Sequence, residues 1–391
     1  MQTIFIKATL VLPDRLLPDA WLLIEEGKIR RFGTGAAPTA DVAIDCQGQY
    51  LSPGFIDVHC HGGGGGNFNE PDMENQLKAL RMHLSHGVTS ITPTFTDTGA
   101  DMIEKMVAFR KAFKGRLDLP ENLGYFIEAM PFAEPHPNLA KPGTPKPVIT
   151  PDAYAPILAA GREHINRIMA APELEGGMAF GRAMKEAGIT ACMGHSDATY
   201  QEAITAMDNG YTCATHLYSC MSTVTREKGF RRGGLVEAAL LEDSLDVELI
   251  ADGCHLPPEL IRLAVKCKGY DKLMLVSDCS NLGGLPEGEY DMPFGNTVLR
   301  LVIEDGVCKP VSRDCFLGSV ASGNRLVRTA YRLAGLPLWG AVRMATKTPA
   351  RHCGYAGIKG EIAIGCDADL VLFDDDIAIS AVYRMGKKVD F

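Results

Sequence analysis

Two rhythms of apolar and polar positions run along the chain. Over the first fifty residues the apolar stretches are short and broken by turns. Residues 20–24 are apolar, Glu26-Gly27-Lys28 is a turn, 29–32 resume the run, and Ala43-Ile44-Asp45 and Tyr50-Leu51 follow. Such pieces read as small strands. From Pro53 the rhythm lengthens, and apolar runs alternate with longer stretches of helical periodicity, as parallel β/α units do. The runs predict strands at 55–59, 88–95, 123–128, 190–195, 211–216, 247–251 and 273–278, with helices over 73–86, 101–113, 175–187 and 258–268. An eighth strand is expected near 147–149. Spread over residues 53–353, this pattern predicts an α/β fold, a (β/α)₈ TIM-like barrel rather than an open sheet.

After Cys353 the β character returns at 360–365, 368–373 and 379–388. Neither terminal piece buries a core alone. Residues 1–52 and 354–391 are therefore expected to build one small β-sandwich domain, with 53–353 as the catalytic barrel.

Composition narrows the partners. The 391 residues are 46% hydrophobic and 22% charged, with 39 Lys plus Arg against 48 Asp plus Glu and a net charge of −9. Disorder and coiled coil are excluded, and an acidic chain without a basic tract is no expected ligand of nucleic acid or anionic membrane. No apolar run reaches the ~18 residues of a membrane span, and no signal peptide is expected. The 12 cysteines never fall at C-x-x-C spacing, so a cytoplasmic setting with free thiols is expected.

The chemistry gathers at strand ends. His59 and His61 form an H-x-H pair whose side chains leave one face of an extended chain. Glu128, His195, His216 and Asp278 each close a separate apolar run, and His255 follows another. In a (β/α)₈ barrel the C-terminal strand ends form one rim, so these residues are expected to converge on a metal site. Alone, Asp278 reads equally as a helix cap. His83, His86, His164 and His352 read as structural, the last two as surface or capping residues. The glycine run 62–66 lacks the Lys and Ser/Thr of a phosphate loop and reads as a rim loop.

Here the chain resembles a family. Pro53-Gly54-Phe55-Ile56-Asp57-Val58-His59-Cys60-His61-Gly62 resembles the opening strand of the amidohydrolase superfamily. Phe126-Ile127-Glu128, Gly194-His195-Ser196-Asp197-Ala198-Thr199, Ala214-Thr215-His216-Leu217, Ile250-Ala251-Asp252-Gly253-Cys254-His255 and Leu275-Val276-Ser277-Asp278 are similar to the N-acetylglucosamine-6-phosphate deacetylases. The likeness runs through Met344-Ala345-Thr346 and Gly365 to Leu370.

The resemblance implies hydrolysis of an N-acetyl group by water activated on a divalent metal, one or two ions per chain, Zn²⁺ first and Fe²⁺ as the alternative. Glu128, His195 and His216 would hold the principal ion and His59 and His61 a second. Asp278 would move the proton, and His255 would polarise the carbonyl or bind the sugar. Phe316-Leu317-Gly318 resembles the loop that lines the substrate. Ser219-Cys220 replaces the family's Asn-Ala, His136 is the counterpart of its substrate histidine, and Arg231 or Arg226 is the phosphate anchor. A small amino-sugar substrate and a homodimer are expected. The alternatives are another N-acetylhexosamine (the galactosamine epimer or an unphosphorylated sugar), a cyclic amide, or a non-catalytic scaffold. Against the cyclic amide, none of the strands ends in the lysine that bridges metals in dihydroorotase-like relatives.

Overall fold

The computed structural model describes residues 1–129, 132–133, 145–294 and 297–391. Eight parallel strands wrap into a barrel: β1 (Phe55–Cys60), β2 (Val88–Phe95), β3 (Tyr125–Ile127), β4 (Ile165–Ala170), β5 (Thr190–Met193), β6 (Tyr211–Ala214), β7 (Asp246–Ile250) and β8 (Leu273–Val276). Each pairs with the next in chain order. Just beyond β8 the Asp278 N–H donates to the His59 carbonyl at 2.9 Å, and Cys60 bridges Cys279 in parallel, so the last strand meets the first at the rim. Ile56, Val58, Phe126, Met169, Ile250 and Val276 fill the interior as a packed core.

The eighth strand is β4, not residues 147–149, which form no strand. Asn166 and Arg167 interrupt its sequence, Ile165-Asn166-Arg167-Ile168-Met169-Ala170, so it does not read as an apolar run. Arg167 is nevertheless 1% exposed, because its charge is paired inside the barrel with Glu248. A second correction falls at 360–365, which forms turns rather than strand.

The chain termini share one sheet. Gln2–Val11, Leu16–Glu25, Lys28–Thr34, Val42–Asp45 and Tyr50–Pro53 join Leu370–Phe373, Ile379–Arg384 and Lys387–Lys388, and the seam is the antiparallel pairing of Tyr50–Pro53 with Leu370–Phe373. Phe5 and Tyr383, one from each end, meet edge to face at 4.9 Å in its core with Leu22, Leu51 and Leu370. Lys359 clamps this sheet to the barrel. Its buried ammonium contacts Asp367 at 2.6 Å, Asp369 at 2.7 Å and Glu121 at 2.9 Å. With Lys28 also on Asp367, and Arg384 on Asp369 and Glu121, three cations match the three carboxylates that alone would suit a metal ion.

Below the rim, Asp246 at the start of β7 accepts from Arg351 at 2.6 Å and from His352 Nδ1 at 2.8 Å. His352 is thus a buried strut, not a surface residue. Burial alone would raise the Asp246 carboxyl, but the hydrogen bonds from His352 and Arg351 outweigh it and hold it below the ordinary carboxylate range. The folded state therefore favours the ionised form. That stability is fully present above the unfolded pKa of about 4 and is lost as pH falls through the lower folded value. Asp246→Asn should cost about 3 kcal/mol at pH 7, and measurably less below about pH 3. Denaturant unfolding of both proteins at the two pH values checks this, and an equal loss at both would contradict it. Among the described residues no helix is long and apolar enough to cross a membrane.

Candidate active site

The ligand-type residues do meet at one end of the barrel, and the backbone explains how. In β1, Asp57 pairs with Ile91 and Cys60 with Pro93, so one strand carries an extra residue. This bulge turns Val58 and His59 both inward. Asp57 stays underneath, where its Oδ1 accepts from the His59 N–H at 3.2 Å and the Ser277 N–H at 3.3 Å, tying β1 to β8. His195, His216 and Asp278 follow β5, β6 and β8 at φ of 44°, 30° and 45°. Three non-glycine residues in the left-handed region at one rim is a costly arrangement of the kind that persists where side chains must be aimed. Helix Tyr200–Asp208 then begins on Thr199, whose side chain and that of Glu202 form a reciprocal capping box. The Thr that ends the Gly-His-Ser-Asp-Ala-Thr motif is thus a helix cap that anchors the His195 turn.

Glu128 is the centre. Its Oε1 lies 2.9 Å from His216 Nε2 and 3.6 Å from His195 Nε2. Its Oε2 lies 2.9 Å from His61 Nε2 and 3.3 Å from His59 Nε2. Asp278 Oδ1 closes the second half, 3.3 Å from His61 Nε2 and 3.5 Å from His59 Nε2. Two candidate cation groups result, Glu128–His195–His216 and His59–His61–Glu128–Asp278, sharing one carboxylate. Burial alone would raise Glu128, but His59 and the hydrogen bonds from His195 and His216 hold it well below the usual carboxylate range. Burial would likewise lower His61, but Asp278 and Glu128 outweigh it and push the ring up to about 9. Protons held among converging imidazoles and carboxylates are the ones a divalent cation replaces on binding, so the donor set fits such an ion.

Other expected residues fall nearby. His255, after β7, is held at Nδ1 by Asp252 at 2.7 Å and packs on the Phe316 ring at 5.0 Å. The segment carrying Leu317 and Gly318 is stitched to the site, because the Ser319 N–H donates to the Asp278 carbonyl at 2.9 Å. Gly318 sits at φ 66°, and a Cβ there would meet that carbonyl at 3.1 Å, which explains the glycine. Ser219 donates its N–H to the His216 carbonyl at 2.9 Å, and the Cys220 carbonyl accepts from Ser196 at 3.0 Å, so both ride beside the ligands. Arg226 and Arg231 face each other across an exposed hairpin, Thr225–Glu227 with Phe230–Arg232. Among the described residues no hydrogen bond or ion pair ties either to the cluster. His136 lies outside the described residues.

Glu248 and Arg167 escaped the sequence reading. Glu248 accepts from His59 Nδ1 at 2.9 Å and from the His216 N–H at 3.2 Å. The available signal was a charged residue at the middle of each of two strands, Arg167 in β4 and Glu248 in β7, that a barrel buries on both faces.

Residues 50–390 match the model of the amidohydrolase family. The human N-acetylglucosamine-6-phosphate deacetylase is 30% identical over 387 residues, covering 96% of this chain and 89% of its own. The N-acetylgalactosamine-6-phosphate deacetylase of Escherichia coli O157:H7 is 29% identical over 387 residues, covering 96% of each chain. Among solved structures, a mutant of the Mycobacterium smegmatis N-acetyl-D-glucosamine-6-phosphate deacetylase in complex with N-acetyl-D-glucosamine-6-phosphate superposes with a TM-score of 0.86 at 29% identity, covering 100% of both chains. With strand-end histidines and carboxylates gathered at the mouth of a barrel, and this likeness along nearly its whole length, the chain belongs to the amidohydrolase family.

Proposed function

We propose that the protein hydrolyses N-acetylglucosamine 6-phosphate to glucosamine 6-phosphate and acetate. One observation carries the reading: Glu128 shares its two oxygens between two histidine pairs, with the Asp278 carboxylate beside one of them. We assign Glu128, His195 and His216 to one divalent cation and His59, His61 and Glu128 to a second. We take Zn²⁺ as the ion, with Fe²⁺ admitted by the same imidazole and carboxylate set. A bound divalent cation supplies Lewis acidity and brings the pKa of a coordinated water down to about 7. Asp278 takes the proton of the attacking water and delivers it to the amide nitrogen as the C–N bond breaks. His255, fixed at Nδ1 by Asp252, presents Nε2 to the acetyl or sugar oxygen. Twelve free cysteines accord with a reducing cytoplasm.

The test is release of free amine from several N-acetylhexosamines, each with and without a 6-phosphate. N-acetylglucosamine 6-phosphate should be the preferred substrate. A second reading, the galactosamine epimer, is favoured by the full-length likeness to the Escherichia coli relative and by Ser219-Cys220 beside the ligands. Preference for that epimer would establish it.

The phosphate needs a cationic anchor on an acidic protein, and Arg226 and Arg231 are our candidates. A charge-assisted arginine contact contributes about 1.5–3 kcal/mol, roughly tenfold to hundredfold in kcat/KM. Replacing the true anchor with alanine should weaken phosphorylated substrates by that factor and leave unphosphorylated ones unchanged. Equal turnover of both forms by wild type would defeat the phosphate requirement.

A further inference from the structure

The ion pair beneath the ligands has a job that stability does not explain. Glu248 on β7 and Arg167 on β4 cross the barrel interior, 0% and 1% exposed. One Glu248 oxygen accepts from His59 Nδ1 and from the His216 N–H, and the other accepts from Arg167. Arg167 also donates to the Val58 carbonyl at 2.5 Å, one residue before His59. Its guanidinium lies 4.5 Å from the centroid of the Phe126 ring, which packs edge-on against His59 at 4.7 Å. His59 is therefore gripped at its backbone neighbour, its ring face and its Nδ1 by one assembly.

The hydrogen bond decides which ring nitrogen carries the proton. A carboxylate at Nδ1 keeps a proton there, so the nitrogen left for a cation is Nε2, which faces Glu128 and Asp278. The other tautomer would turn an N–H toward that space and block ligation. The restraint is one-sided, since His216 Nδ1 has no hydrogen-bond partner among the described residues. Burying such a pair is rarely a gain in stability, because well-packed apolar residues of similar volume do as well or better.

We propose that Glu248 and Arg167 are positioning residues that hold His59 in its metal-binding tautomer and so set occupancy of the second cation site. The proposal rests on the reading of His59 and His61 as ligands. Loss of a carboxylate behind a ligating histidine typically weakens metal binding about 10–100-fold.

Calorimetric titration of the chelator-stripped protein with Zn²⁺ tests this. Wild type should show two binding events, and His59→Asn/His61→Asn should remove one of them and so identify the second site. Arg167→Met/Glu248→Leu, which removes both charges together, should weaken that event about 10–100-fold and leave the other within a few-fold. Arg167→Met/Glu248→Gln restores an oxygen acceptor for Nδ1 and should recover part of the loss, which a purely structural role would not produce. The single variant Glu248→Gln, close in volume to the native residue, keeps the question answerable if a double variant fails to fold. It too should weaken the second event selectively. An unchanged second event, or equal weakening of both, overturns the proposal. If His59→Asn/His61→Asn removes no event, the two-cation reading itself has failed, which is a different result.

Discussion

Asp278→Asn should lower kcat by about 10²-fold or more while metal content and fold persist. Asparagine keeps the shape and hydrogen-bonding reach of the side chain but cannot carry a proton from water to a departing amine. The helix-cap alternative, open from sequence alone, predicts near-neutrality, because Asn and Asp cap about equally well. The structure speaks against capping, since β8 is followed by turns rather than a helix. The carboxylate faces His61 and His59 at 3.3 and 3.5 Å. Steady-state kinetics with elemental analysis of the same preparation decides the matter. A well-folded, metal-loaded Asp278→Asn protein with near wild-type turnover would remove Asp278 from the chemistry.

Glu128→Gln should be the more damaging change at the metal centre. The carboxylate gives one oxygen to His195 and His216 and the other to His59 and His61. An amide keeps one oxygen and turns an N–H₂ group, which has no lone pair to offer a cation, toward the remaining half. At least one equivalent of metal should be lost, with a turnover loss exceeding that of Asp278→Asn. His195→Ala, by contrast, touches one half only and should cost that equivalent alone. Elemental analysis of the three variants separates these outcomes. Full metal content and turnover in Glu128→Gln would show that the shared carboxylate is not a ligand.

The corrected strand and the missed pair have a common origin. Reading strands as unbroken apolar runs finds β8, Leu273-Met274-Leu275-Val276, whose residues need only be apolar. It fails at β4, where Arg167 sits among apolar residues because its partner, Glu248, lies 81 positions away. Burial of an ion is forbidden by local pattern and permitted only by a long-range partner. The same limit applied to His352, which carries no local motif and is buried because Asp246 receives it from 106 positions away.

What the sequence determined by itself was the inventory and its order. Alternating apolar runs and helical stretches dictated the barrel, since parallel strands buried on both faces are predominantly apolar and need crossovers. The residues closing those runs had to share a rim, because all strands point the same way. Only the tertiary structure decided how they face one another. The bulge in β1, the left-handed backbone at His195, His216 and Asp278, and the division of the Glu128 oxygens between two histidine pairs depend on contacts among strands far apart in the chain. A ligand's identity is written in one position. Its direction is set by the register of neighbouring strands and by partners such as Glu248, which no local stretch of sequence contains.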